Sequence, residues 1–130
     1  MKFLDTSFLI DYLKGRKYTL KYLNNNSEEA LYAGSLTMFE LYRGELKSED
    51  KTDIEGLKES LEWVKTVELD DKTAEEAARI EKSLSEQGEK VNLADTLIAG
   101  EVSKKGSKIV SKDKDFQKMK EIKVENPEER

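Results

Sequence analysis

The chain has 130 residues, within the usual span of one domain, and no stretch rich in Pro, Gly or Ser divides it, so a single domain over residues 1–130 is expected. It contains neither cysteine nor histidine, which excludes a disulfide framework, a thiolate zinc site, a cysteine nucleophile and the usual side-chain base at neutral pH. The net charge of −5 argues against a broad basic surface that tracks nucleic acid by counterion release, although bound divalent ions reverse the local field where a phosphate sits.

A first strand is read over Lys2–Leu4, followed by helices over Thr6–Lys14 and Lys17–Asn24 with Gly15 between them. A second strand at about Ala30–Ala33 leads into a helix over Met38–Leu46 that turns Phe39 and Leu41 inward. After the charged loop that begins at Ser48, Ile54, Leu57, Leu61 and Val64 recur at helical spacing, giving a helix over Asp53–Trp63 and then a third strand over Thr66–Leu69. Thr73–Gln87 is the longest helix, with Ala74, Ala77, Ala78, Ile80 and Leu84 along one stripe and Gly88 as its stop. A helix over Leu93–Lys105 presents Ala94, Leu97, Ile98 and Val102 to the core and ends at Gly106. Lys108–Val110 is the fourth strand, Lys114–Met119 a short helix and Ile122–Val124 a fifth strand, while the polar tail Glu125–Arg130 is expected to fray. No apolar run approaches the ~20 residues of a membrane span, and Asp5 interrupts the first apolar block too early for a signal peptide, so a soluble, cytoplasmic protein with no membrane contact is expected.

Strands separated by helices call for parallel pairing with crossovers. The expected fold is therefore α/β, a three-layer α/β/α sandwich around a central parallel sheet of four to five strands. Ligands of such sheets sit beyond the carboxyl ends of the strands, near a topological switch point. Asp5, Glu40 and Asp113 follow strands, and Asp95 lies in the first turn of a helix. Each has an ordinary structural explanation. Asp5 and Asp113 can cap the helices after them, Thr37-Met38-Phe39-Glu40 matches a capping box, and Asp95 suits the positive end of a helix dipole.

The surroundings of Asp95, Leu93-Ala94-Asp95-Thr96-Leu97-Ile98, make a carboxylate costly there unless something compensates it. Two like charges ~4 Å apart at an effective dielectric of ~20 repel by about 4 kcal/mol, so gathered acids must take up protons or share a cation. An all-oxygen donor set suits Mg²⁺ or Mn²⁺ rather than zinc. Asp70-Asp71 is the control: it also lies between a strand and a helix but in polar surroundings, and is read as a cap, with Asp71 as the capping residue.

Taken together these segments resemble the PIN domains and, within them, the VapC-type toxins of bacterial and archaeal toxin–antitoxin pairs. Phe3-Leu4-Asp5-Thr6-Ser7-Phe8-Leu9-Ile10-Asp11 is similar to the family's first motif and Thr37-Met38-Phe39-Glu40-Leu41-Tyr42-Arg43-Gly44 to its second. Leu93-Ala94-Asp95-Thr96-Leu97-Ile98-Ala99 is similar to the third, and Val110-Ser111-Lys112-Asp113-Lys114-Asp115-Phe116 to the fourth, with Ser111 where threonine is more usual. The resemblance implies a metal-dependent ribonuclease in which Asp5, Glu40, Asp95 and Asp113 hold Mg²⁺ or Mn²⁺, with Thr6 and Ser111 as supporting hydroxyls. Asp115 either shares the fourth acidic role or fixes the loop before Phe116. It further implies an RNA substrate, a cognate antitoxin protein and a homodimer.

In this reading a metal-bound water attacks the RNA phosphate in line, a chemistry that needs no histidine. Lysine and arginine side chains around the cleft would set specificity; Arg43 and Arg16 are candidates, against a plain solvated role for both. Three alternatives stay open: a PIN nuclease that matures RNA without an antitoxin, a PIN-fold scaffold without catalysis, and a phosphate-receiving regulator with Lys112 as its lysine. The last has no place for Asp95.

Overall fold

The structure, a computed structural model, describes residues 1–105 and 107–128; the expected helix stop at Gly106 and the last two residues lie outside them. In chain order the elements are β1 (Lys2–Leu4), α1 (Thr6–Leu13), α2 (Lys17–Asn25), β2 (Leu31–Gly34), α3 (Ser35–Leu46) and α4 (Ile54–Ser60). Next come β3 (Lys65–Val67), α5 (Asp71–Glu86), α6 (Leu93–Lys104), β4 (Lys108–Val110), α7 (Lys114–Gln117) and β5 (Lys123–Glu125).

The five strands form one parallel sheet in the order β3-β2-β1-β4-β5. The chain builds outward from β1 on one side and returns through β4 and β5 on the other, so the switch point falls between β1 and β4. Side chains of a strand alternate between faces, and this alternation makes the three layers. Leu4, Leu31, Ala33 and Val110 pack with Phe8, Leu9, Tyr22, Met38, Leu41 and Leu57 from α1 to α4. Phe3 and Ile109 face the other way, against Ile80, Leu84, Ile98, Val102 and Phe116 from α5 to α7. The expected α/β sandwich is the fold observed, with the sheet at its fuller count of five strands.

Several local expectations are corrected. The α3 helix begins at Ser35 rather than Met38, so Thr37 lies inside it and cannot open a capping box; Gly34 is its N-cap. Phe39, expected inward, is 51% exposed, with the Arg43 guanidinium 5.1 Å from its ring centroid. The α4 helix stops at Ser60 instead of Trp63; the Trp63 indole N–H donates to the Ser60 carbonyl at that end, and Leu61 and Val64 reach the core from tight turns. On α5 the inward stripe is Thr73, Ala77, Ile80 and Leu84, with Ala74 and Ala78 exposed. On α6 burial falls on Thr96 and Ile98 to Val102 rather than on Ala94 and Leu97, because α5 packs along it: a Cβ on Gly100 would meet the Ala77 Cβ at 2.8 Å. The tail does not fray through Glu128. Glu125 accepts from Lys2, Lys108 and Tyr22, Pro127 is buried, and Glu128 pairs with Lys112 at 2.8 Å.

Glu101 of α6 is fully enclosed, and neither carboxyl oxygen has a hydrogen-bond partner. The carboxyl occupies the space of a Cβ at Gly34, which would lie 2.1 Å from Oε1; this accounts for a glycine at a φ of −78°, which any residue adopts. Burial pushes its pKa up from 4.5 to about 7; Lys105, further along α6, pulls it down, and Asp70 at the start of α5 pushes it up. The unfolded chain therefore loses this proton at lower pH than the fold does. Stability from this group is complete below pH 4.5, declines as pH rises to about 7, and levels off above it. Full expression corresponds to about 3 kcal/mol. Glu101→Gln is expected to shrink the fall in melting temperature between pH 5 and pH 8 by several degrees, measured by circular dichroism. An unchanged slope would mean that the carboxyl reaches water or a partner in the fold.

Candidate functional site

Asp5 leaves β1 directly and caps α1, its Oδ1 accepting from Phe8 N at 2.8 Å. Asp113 leaves β4, the neighbouring strand, and caps α7 by accepting from Asp115 N at 2.9 Å. The two strand ends beside the switch point thus deliver two carboxylates, and the helices α3 and α6 bring Glu40 and Asp95 to them. All four line a cleft of about 230 Å³ together with Thr6, Ser7, Asn92, Ile98 and Phe116. The capping explanation for Asp5 and Asp113 is correct, and it does not compete with a place in the cleft.

Each carboxylate is held by a donor. The Ser111 hydroxyl donates to Asp5 Oδ2 and accepts from Asp113 N at 2.9 Å, tying the two strand ends together. Thr6 Oγ1 donates to Glu40 Oε1 at 2.6 Å, so Glu40 is turned towards α1 and not back along its own helix to Thr37. Asn92 Nδ2 donates to Asp95 Oδ2 at 2.9 Å. Sequence reasoning singled out Thr6 and Ser111 but missed Asn92, although an asparagine three residues before Asp95 is a helix-cap signal.

The acids strain against one another. Asp5 is 4% exposed, and burial, reinforced by Asp113, pushes its pKa up to about 6 against the bonds from Ser111 and Phe8. Burial likewise lifts Asp95 to about 6, with Asp113, Asp115 and Glu40 adding to the rise and Asn92 opposing it. Carboxylate oxygens of Asp95, Asp113 and Asp115 lie within 4.8 Å of one another, and no lysine or arginine lines the cleft among the described residues. An all-oxygen cluster of this size, whose one ion pair among the described residues is that of Asp115 with Lys118, fits a hard divalent cation. Asp115 joins this cluster through Asp95 and Asp113, while its Oδ1 also pairs with Lys118 at 3.3 Å and it does not line the cleft itself.

The control pair behaves differently. Asp70, not Asp71, is the N-cap of α5, accepting from Thr73 N at 2.9 Å; α5 starts at Asp71 rather than Thr73, which moves the cap forward. That bond is the main reason its pKa falls to about 2. Arg16 and Arg43 are exposed and lie outside the cleft lining. No helix among the described residues is long and apolar enough to cross a membrane.

A sequence model of the PIN domain matches residues 2–122. The chain belongs to the PIN-domain family. Ribonuclease VapC3 of Methanocaldococcus jannaschii is 32% identical over 96 residues, covering 74% of this chain and 92% of that protein. Among solved structures this PIN domain is similar to VapBC2 from Rickettsia felis bound to a DNA fragment from their promoter, with a TM-score of 0.85, 18% identity and coverage of 96% and 97% of the two chains. It is also similar to a toxin–antitoxin complex from Klebsiella pneumoniae, with a TM-score of 0.78, 17% identity and 98% of each chain covered.

Repulsion within the cleft makes a prediction about the PIN domain without any ion. Asp95→Asn removes one charge from the cluster while keeping the shape and an acceptor for Asn92. In EDTA near pH 8 its melting temperature is expected to equal or exceed that of the parent by about 3 °C, the effect of roughly 1 kcal/mol in a chain of this size. A fall of several degrees would assign Asp95 a structural role instead.

Proposed function

We propose that this PIN domain is a metal-dependent ribonuclease that hydrolyses RNA phosphodiester bonds and serves as the toxin of a VapBC-type pair. The observation that carries the reading is the convergence of Asp5, Glu40, Asp95 and Asp113 on one cleft, with no lysine or arginine in its lining among the described residues. These four residues are the proposed metal ligands. Thr6 and Ser111 orient Glu40 and Asp5, and Asp115, held by Lys118, fixes the loop before Phe116. Mg²⁺ or Mn²⁺, when held by these four acids, would supply positive charge for the scissile phosphate and make a water more acidic. The acids' own role is to present an all-oxygen donor set to such an ion.

The name of the archaeal relative supports the ribonuclease reading, and the complexes among the structural neighbours support a cognate antitoxin as partner. An apolar groove between α1, α3 and α4, lined by Ile10, Leu13, Leu41 and Leu57 and ending at Glu40, is a surface that such a partner would cover. A homodimer and a cytoplasmic setting are part of the same proposal.

The test is cleavage of a mixed pool of labelled structured and single-stranded RNAs by the purified chain with Mg²⁺, Mn²⁺ or EDTA. Asp5→Asn is expected to lower cleavage by at least ~100-fold, whereas Asp70→Asn, which keeps a helix cap, leaves it within about twofold. Cleavage that persists in EDTA or in Asp5→Asn would place the chemistry elsewhere.

A further inference from the structure

We infer that Asn92 is a positioning residue of the metal centre: its side-chain amide fixes the Asp95 carboxylate and leaves one of its oxygens free for the ion. This role rests on the metal-dependent reading of the cleft and adds to it a residue outside the four acids and the two hydroxyls.

An N-cap must offer one acceptor to the exposed N–H groups of the first helical turn, and Ser, Thr, Asp and Asn all supply one. Asn92 does this, its Oδ1 accepting from Asp95 N at 2.8 Å. The same amide then makes a second bond, Nδ2 to Asp95 Oδ2 at 2.9 Å, which capping does not need. Only asparagine among the common caps carries an acceptor and a fixed donor on one planar group. One residue therefore grips both the backbone and the side chain of Asp95, while the Asn92 carbonyl accepts from Thr96 N at 3.2 Å and Thr96 Oγ1 at 3.1 Å, which holds the cap itself in place.

Asp95 enters the cleft from a helix rather than a strand end, with oxygens of Asp113 and Asp115 within 4.8 Å of its own. Asn92 lines the cleft beside it, as Thr6 does beside Glu40. With Oδ2 bonded to the amide, Oδ1 is left to serve as the ligand atom, and the side chain has lost freedom that binding an ion would otherwise have to remove.

The experiment separates the two bonds. Asn92→Ser keeps a capping acceptor but ends an atom short of the amide nitrogen; Asn92→Ala loses both. The full chain, both variants and Asp5→Asn are titrated with Mn²⁺ by calorimetry, melted in EDTA and assayed on RNA across Mn²⁺ concentrations. Asn92→Ser is expected to melt within about 2 °C of the parent, because serine is an equivalent cap. It is expected to bind Mn²⁺ roughly 10- to 100-fold more weakly and to regain cleavage when Mn²⁺ is raised in proportion. Unchanged Mn²⁺ affinity in Asn92→Ser overturns the inference and leaves a helix cap. Unchanged affinity with lost cleavage also overturns it, making Asn92 an RNA contact. If the parent chain binds no Mn²⁺ and matches Asp5→Asn, the metal reading itself falls, and this inference with it, which is a different result from a variant that equals a Mn²⁺-binding parent.

Discussion

Like charges brought together away from water repel, and the architecture around the cleft is arranged to hold them there regardless. Carboxylate oxygens of Asp95, Asp113 and Asp115 approach within 4.8 Å, while Asp5 is nearly buried beside them. At an effective dielectric of ~20, each such pair opposes the fold by a few kcal/mol, an amount comparable with a large part of a domain's net stability. The chain meets this in two ways. It raises the proton affinity of Asp5 and Asp95, and it gives every acid a donor that fixes its direction. Neither removes the charge, so the arrangement favours a cation.

Holding acids in place requires a rigid frame, which the sheet provides despite strands of three or four residues. The strands β1 and β4 pair in parallel through Lys2 to Leu4 and Lys108 to Val110, with buried side chains on both faces. Their ends cannot slip by one residue without sending Phe3 and Ile109 to the wrong layer. The register that packs the core is therefore the register that sets Asp5 opposite the Ser111–Asp113 turn. Asp5 N itself donates to the Val110 carbonyl at 3.3 Å, carrying the ladder to the edge of the cleft.

What the sequence reveals about this fold is what strong periodicity and chain order reveal. Strands bounded by turns, the long α5 and the parallel topology are legible because short apolar blocks alternate with helical stripes. Asp5, Asp95 and Asp113 stand out in the sequence because they lie near strand ends or at a helix start, whereas Glu40 reaches the cleft from the second turn of α3. Two of the misreadings, the capping box and the tail, turn on contacts between segments distant in the chain, while the others turn on where a helix begins and which face it buries. Thr37 and Glu40 match a local capping pattern, but Thr6, more than thirty residues earlier, takes Glu40 instead. Phe39 reads as core because it is aromatic, but the turn of α3 sets Met38 and Leu41 inward and leaves Phe39 against Arg43. The tail reads as loose because it is polar; its order comes from Lys2, Lys108 and Lys112, none of them near it in sequence.

The helix α6 shows why burial alone does not identify a functional acid. Asp95 and Glu101 both lie on it, six residues apart, and burial raises the pKa of both. Asp95 opens on a cleft, has a dedicated donor in Asn92, and shares its surroundings with other acids, so a cation relieves it. Glu101 faces Gly34 with no donor and no opening, so only a proton relieves it. Glu101 lies where α6 packs close against the start of α3, and those are the two helices that carry Asp95 and Glu40. The distinction between the two acids is therefore one of access rather than of charge: one carboxyl opens on a cleft and the other is enclosed.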